Sequence, residues 1–247
     1  MVDFKVDLKN LLIESKFTTS SSIIVFSGAG MSAESGIATF RDSGGLWANY
    51  KIEEVATPEA WQADPEKVLD FYNMRRKRLL ESEPNDAHRA IANLAMDLKL
   101  KVITQNIDDL HERAGSNDVL HLHGELRKAR SSRRDDLIYD IEGWELRMGD
   151  FCELGSQLRP HVVWFGEMVP AMDEAIPLVQ EADLMIVIGS SLQVYPAASL
   201  VQVMGGNKPV IVVDPASPNV QRSGSYFHLP LKAVEAMELI AELIASY

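Results

Sequence analysis

Cysteine is nearly absent from this chain. Cys152 is the only one among 247 residues, so no intramolecular disulfide can form, which fits a reducing compartment. Basic residues are also in deficit: 24 Lys and Arg stand against 36 Asp and Glu, for a formal net charge of −12. That balance disfavours phosphate-driven nucleic-acid binding, and it suits either simple solubility or a basic peptide partner. No apolar run reaches the length of about 18 uncharged residues that a membrane-spanning helix needs. The first 17 residues carry Asp3, Asp7 and Glu14 among apolar positions, unlike a signal peptide. Phe4, Leu8, Leu11 and Leu12 instead fall at helical spacing and imply a packed first helix. A cytoplasmic protein with neither membrane nor nucleic-acid partners is expected. The oligomeric state is left open, with a monomer as one reading.

What is present is an ordinary globular composition, 46% hydrophobic and 24% charged, which allows one sizeable core. Four short apolar runs, Ile23–Phe26, Lys101–Thr104, Leu184–Ile188 and Val210–Val213, have the look of strands buried on both faces. Helical patterns lie between them. The expected fold is α/β, a Rossmann-like, mostly parallel sheet with helices on both faces and a smaller inserted module. The whole chain, 1–247, is expected to be one catalytic domain. Its large part takes in about 1–36, 82–126 and 158–247, and its small module about 37–81 and 127–157. The second insertion is rich in charge and lacks a period, which leaves about 130–150 open to disorder. Ligands of such sheets bind beyond the C-terminal strand ends, so the residues just after the strands are the first candidates.

The first strand leads into Gly28-Ala29-Gly30-Met31-Ser32-Ala33-Glu34, a Gly-x-Gly-x-x-Ala pattern suited to a tight turn near a pyrophosphate. An ordinary dinucleotide-binding fold would carry an acidic ribose ligand about 20 residues on. Gly44-Gly45-Leu46-Trp47-Ala48 stands there instead, which disfavours a dehydrogenase. Further blocks follow in order: Ala38-Thr39-Phe40-Arg41-Asp42, Thr104-Gln105-Asn106-Ile107-Asp108, His121-Leu122-His123-Gly124, Leu158-Arg159-Pro160-His161-Val162-Val163-Trp164-Phe165-Gly166-Glu167, and Gly189-Ser190-Ser191-Leu192.

Together these blocks closely resemble the signature of the sirtuins, over roughly residues 23–231. The resemblance implies an NAD-dependent enzyme that takes acyl groups from the lysines of protein or peptide substrates. The acyl oxygen attacks the nicotinamide ribose, nicotinamide leaves, and a histidine then accepts a proton from a ribose hydroxyl. The products are lysine, nicotinamide and O-acyl-ADP-ribose. His123 matches the catalytic histidine, and imidazole titrates in the right range for a general base. Gln105, Asn106 and Asp108 match the ribose and nicotinamide contacts, while Phe40 and Arg41 match a mobile cofactor loop. Gly28, Ala29, Gly30, Ser32, Glu34, Gly189, Ser190 and Ser191 complete the expected cofactor site. Val163, Phe165, Gly166 and Glu167 match the segment that pairs with the substrate backbone. His121 is open to either a structural or a functional role.

Three details set this chain apart. Tyr72 and Arg75 share one helix face, with Ala56 upstream, and the trio resembles the subgroup that removes succinyl, malonyl and glutaryl groups as well as acetyl. The neighbouring Arg76, Lys77 and Arg78 leave a solvated basic face as the alternative reading. Second, most sirtuins hold a structural zinc on two Cys-x-x-Cys pairs. Those pairs would fall near Ser131 and Arg134 and near Phe151 and Leu154, so no zinc is expected. The module would then rely on Leu137, Ile138, Ile141, Trp144, Leu146 and Phe151 for a core. Third, the adenosine-ribose Asn of the family is replaced by Val212, with Asp214 as a substitute acceptor. Two rival functions remain: another NAD-consuming enzyme, an ADP-ribosyltransferase or glycohydrolase, and a non-catalytic module that binds NAD or acyl-lysine.

Overall fold

The computed structural model describes residues 4–39, 50–206, 208–217 and 226–246. The four apolar runs are strands, β1 (Ser22–Ser27), β2 (Lys99–Thr104), β7 (Leu184–Ile188) and β8 (Val210–Val213). Two short strands that no apolar run announced, β3 (Val119–His121) and β9 (Phe227–Leu229), complete a six-stranded sheet. Its order is β3-β2-β1-β7-β8-β9 and every neighbouring pair is parallel.

Both faces of this sheet are covered, which is why its central strands are continuously apolar rather than alternating. On one face Ile23, Val25, Ile186 and Ile211 meet Leu8 and Leu12 of α1 (Phe4–Glu14), Ile91 of α5 (Asp86–Asp97), and Met237 and Ile240 of α9 (Ala233–Ile244). On the other, Ile24, Phe26, Met185 and Val187 meet Val179 of α7 (Met172–Glu181) and Leu200 of α8 (Leu200–Val203).

The small module is a second sheet, antiparallel, of order β5-β4-β6, built from β4 (Gly124–Ser131), β5 (Ile138–Asp140) and β6 (Leu158–Val162). It therefore takes in residues on the far side of both expected boundaries, 126 and 158. The charge-rich stretch between β4 and β6 is folded, contrary to the disorder its composition left open. Of the expected core residues Ile141 and Leu146 are buried, whereas Ile138, Trp144 and Phe151 are exposed. Ile138 lies on the edge strand β5, and a module this small has one interior side to fill.

Polar stitching makes up the difference. Helix α4 (Pro65–Glu81) is capped by Asp64, whose carboxylate accepts the Lys67 N–H at 3.0 Å, and Pro65 occupies the first turn. From its buried face Asn73 exchanges two hydrogen bonds of 2.9 Å with the backbone of Leu146. Arg76 donates to the carbonyls of Leu126 (2.6 Å) and Trp144 (2.7 Å). Arg76 is thus an interior tie and not part of a solvated basic face; burial lowers its pKa to about 10, with the nearby Arg127 charge adding to the effect.

Candidate active site

Strand register assembles the site. Ser27 of β1 lies level with Thr104 of β2 and with Ile188 of β7; Thr104 lies level with His121 of β3, and Ile188 with Val213 of β8. The residues that follow, Gly28, Gln105, Gly189, Asp214 and the Leu122–His123 pair, therefore meet at one edge of the sheet, the C-terminal edge where ligands of such folds bind.

The glycines serve first to let two loops touch. Gly30 N–H donates to the Gly189 carbonyl at 2.8 Å. A Cβ on Gly30 would lie 2.7 Å from Gly189 Cα, and one on Gly189, whose φ is +63°, would lie 2.2 Å from Met31 N. Beside this contact the Gln105 amide donates to Ser190 Oγ at 3.2 Å. Asn106 Nδ2 donates to the Gly28 carbonyl and to Ser32 Oγ, both at 3.1 Å, and Ser32 Oγ donates to Asp108 at 3.0 Å. Burial pushes the Asp108 carboxyl above its usual pKa, against the opposing hydrogen bonds from Ser32 and Leu110. Ala29 sits half-buried in the turn between Gly28 and Gly30, and Ser191 is half-buried just beyond Ser190.

One expected contact falls elsewhere. The Glu34 carboxylate accepts the Val234 N–H at 3.0 Å, capping the first turn of α9 instead of facing the site. Val212, which by sequence count takes the place of the family's ribose Asn, is wholly buried inside β8 and offers no polar side-chain atom. Asp214, immediately after the strand, is at the sheet edge; one carboxylate oxygen accepts the Ala216 N–H at 2.8 Å. Phe40 and Arg41 lie outside the described residues.

Two histidines grip the loop after β2. His123 Nδ1 lies 2.9 Å from the Gln105 carbonyl, a partner that can only accept, so Nδ1 carries the proton and Nε2 keeps its lone pair. Burial lowers the pKa of His123, partly opposed by that hydrogen bond. The following Gly124 has φ +78°, and a Cβ there would fall 2.2 Å from the His161 carbonyl, so the backbone turn that aims His123 admits no side chain. His121 sits between two acceptors, the Asn106 carbonyl at 3.0 Å and Glu112 at 2.7 Å. Burial works against its charge, but the Glu112 carboxylate outweighs it and the pKa of His121 is raised. His121 is therefore a charged clamp on the Asn106 backbone, a role the sequence left open.

Beneath the loop lies a buried chain that sequence reasoning missed. His111 Nε2 is 2.9 Å from Ser27 Oγ, which donates to Thr104 Oγ1 at 2.8 Å; Thr104 Oγ1 in turn accepts the Asn106 N–H at 3.0 Å. His88 packs edge-on against His111 at 4.9 Å. Burial holds both neutral, His88 down to about 4 and His111 well below its ordinary value. Above pH 6.5 neither folded nor unfolded chain protonates them. As pH falls from 6.5 toward 4 only the unfolded chain takes up protons, so folding stability is lost in that window. The His88 share is about 3 kcal/mol at pH 4. Thermal melts should fall steeply across this range. His88→Gln, which keeps the helix-capping acceptor but cannot titrate, should flatten the slope; an unchanged slope contradicts the assignment.

Of the trio expected at the acyl group, Ala56 and Tyr72 share a buried cluster with Trp164, and Arg75 lies over the Tyr72 ring. Ala56, Phe71, Tyr72 and Trp164 belong to one buried cluster, with Ile107 packed against it from the loop after β2. The Arg75 guanidinium lies 5.6 Å from the Phe71 ring centroid and 5.8 Å from that of Tyr72, within electrostatic reach of Asp108. In the segment expected to pair with a substrate backbone, Val163 N–H donates to the His123 carbonyl (2.9 Å) and Phe165 N–H to the Ala56 carbonyl (3.0 Å). Gly166, with φ +90°, turns the chain at its end. Glu167 does different work: it accepts the Trp164 N–H at 2.7 Å and binds Arg159 through both oxygens, at 2.7 and 3.0 Å.

Where two cysteine pairs would hold zinc, this chain has hydroxyl chemistry. Ser131 Oγ accepts the N–H groups of Arg133 and Arg134 at 3.2 and 3.3 Å, and Cys152 Sγ approaches it at 3.5 Å. No group of three or more metal-ligating side chains occurs among the described residues, and none of their helices is long and apolar enough to cross a membrane.

A parallel α/β sheet with a glycine-lined loop contact, a carboxamide–carboxylate pair and a base-ready imidazole at its C-terminal edge defines a nucleotide-using α/β protein. The Sir2 family model matches residues 28–196, and the chain belongs to that family. It is similar to the NAD-dependent protein deacylase of Helicobacter pylori J99, 49% identical over 224 residues that cover 90% of this chain and 95% of the relative. It is 48% identical to that of Bacteroides thetaiotaomicron, over 90% of this chain and 97% of the relative. A solved Sir2 homologue in complex with NAD has a TM-score of 0.85 and 39% identity, over 98% of this chain and 94% of that one. A Sir2 complex with a deacetylated p53 peptide and 3′-O-acetyl ADP-ribose has a TM-score of 0.80 and 30% identity, over 96% and 97% of the two chains.

Proposed function

We propose that the chain removes acyl groups from protein lysines at the expense of NAD. It acts on acetyl groups and on those ending in a carboxylate, such as succinyl and malonyl. The observation that carries this reading is the His123 ring. Its Nδ1 is committed to the Gln105 carbonyl, which leaves Nε2 as a base beside the Asn106–Asp108 pair. Bound NAD supplies a ribose carbon with nicotinamide as leaving group. Asn106 and Asp108 suit recognition of the carboxamide, Gln105 and Ser190 suit the ribose hydroxyls, and Asp214 suits the adenosine end. His123 takes the proton of a ribose hydroxyl at Nε2. Burial of the surrounding groups keeps water from competing. Tyr72 and Arg75 hold the distal carboxylate of an acidic acyl group, and the small Ala56 leaves room for it.

The test is mass spectrometry of acetyl- and succinyl-lysine peptides incubated with and without NAD. Lysine peptide, nicotinamide and O-acyl-ADP-ribose should appear in equal amounts from both substrates, and only with NAD. Nicotinamide released without deacylation would point to an ADP-ribosyltransferase or glycohydrolase, and NAD binding without turnover to a sensor module.

The same reading needs no zinc. The Ser131 hydroxyl takes on the turn-capping that a metal-bound thiolate would perform, and Asn73 and Arg76 tie the module to α4. Exhaustive chelation should leave both turnover and Tm unchanged, and elemental analysis should find no stoichiometric zinc. Loss of both on chelation would contradict this.

A further inference from the structure

Tyr72 carries the acyl-pocket hydroxyl, but its environment assigns the aim of that hydroxyl to another residue. Trp164 Nε1–H donates to the Tyr72 oxygen at 3.0 Å, with the rings 6.5 Å apart and tilted by 38°. An indole nitrogen can only donate, whereas a phenol has one proton to give and lone pairs to accept with. With the acceptor side of the oxygen occupied by Trp164, the phenolic proton must point elsewhere. Tyr72 is 1% exposed, and no acceptor for its proton is found among the described residues. A buried donor left in that state is costly until a ligand satisfies it.

We propose that Trp164 is the positioning residue for acidic-acyl specificity, fixing the Tyr72 hydroxyl as a donor aimed at the distal carboxylate while Arg75 supplies the charge. The inference rests on the acidic-acyl reading above and deepens it. The indole is held on several sides. Arg159 stacks on it with its guanidinium carbon 3.3 Å from the ring centroid, and Trp61 packs at 5.9 Å. Glu167 accepts the backbone N–H of Trp164 and both clamps and orients Arg159, while Arg130 adds a second arginine at 3.1 Å. Such a ring cannot turn its N–H away from Tyr72 without breaking a buried ion network. Burial pushes the Tyr72 phenol up to about 12, so it remains a donor throughout the working pH range. An acetyl group has no distal carboxylate and draws nothing from this arrangement.

The test compares kcat and KM for succinyl- and acetyl-lysine peptides at saturating NAD in wild type, Trp164→Phe, Tyr72→Phe and the double variant. Phe keeps the buried ring and deletes the N–H. Trp164→Phe should raise KM for the succinyl peptide and lower the succinyl-to-acetyl ratio of kcat/KM about 10-fold, while in the Tyr72→Phe background it should leave that ratio unchanged. A ratio unaltered by Trp164→Phe, or an equal shift in both backgrounds, overturns the proposal. Should Trp164→Phe not fold, the ¹⁵N-labelled indole of Trp164 gives the answer in the intact protein, assigned by replacing the other three Trp residues. Its signal should move on adding succinyl peptide with NAD and stay put with acetyl peptide; no difference between the two overturns the proposal. A wild type that deacetylates but never desuccinylates removes the acidic-acyl reading itself, whereas desuccinylation with an unaltered ratio in Trp164→Phe removes this inference alone.

Discussion

His123→Ala should lower deacylation by about 10²- to 10⁴-fold on every acyl peptide, the range expected for loss of a positioned general base. The fold should survive, because His123 is only half-buried and its ring makes one hydrogen bond among the described residues, to a carbonyl that water can take over. NAD binding should survive as well, since the groups assigned to the nicotinamide are held by Gly28, Ser32 and the Thr104 hydroxyl and not by His123. Calorimetric NAD titration beside an initial-rate assay checks both halves. Residual turnover within threefold of wild type would show that the base lies elsewhere.

Arg75→Met should separate the substrates. A carboxylate that loses its charge-assisted partner forfeits about 1.5–3 kcal/mol, so kcat/KM for succinyl-lysine should fall by about 10- to 150-fold. Deacetylation should fall by much less, because no carboxylate is there to be paired. Methionine preserves bulk and the contact with the Phe71 and Tyr72 rings, which limits the change to the lost charge and donors. Equal losses on both substrates would make Arg75 a structural residue and leave Ala56 and Tyr72 without a functional argument.

Much of this site could be read from the sequence because its parts lie at the ends of strands with unmistakable patterns. β7 and β8 are apolar throughout, β1 and β2 carry clear apolar stretches, and the residues just beyond them, Gly28, Gln105–Asp108, Gly189–Ser190 and Asp214, are the ones the register brings together. β3 and β9 escaped because strands of three residues, mostly half-buried, carry no period. The small sheet escaped because its strands mix charge with apolar positions on edges open to solvent. The misassignments share one cause, contacts between residues far apart in sequence. Glu34 belongs to a motif that suggests a cofactor ligand, yet its partner is Val234, 200 residues away. Arg76 has two basic neighbours and reads as surface, yet its guanidinium ends on carbonyls 50 and 68 residues on. Trp164 sits inside a block read for its backbone, and its part in the pocket appears only when Tyr72, 92 residues earlier, is laid against it. His121 shows the opposite case: a neighbouring acid nine residues back, Glu112, was in plain view and would have argued for a charged clamp.

The pH dependence of kcat/KM reaches the central claim most directly, because it reports the ionisation of the free enzyme's base. A half-buried His123 with Nδ1 held by a carbonyl has its pKa lowered by desolvation below the ordinary 6.5. Activity should therefore be level through neutrality and fall along a single-proton limb entirely on the acid side of 6.5, and that limb should vanish in the residual activity of His123→Ala. A limb that persists in the variant, or one centred above 6.5 in the wild type, would contradict the assignment of His123 Nε2 as the base.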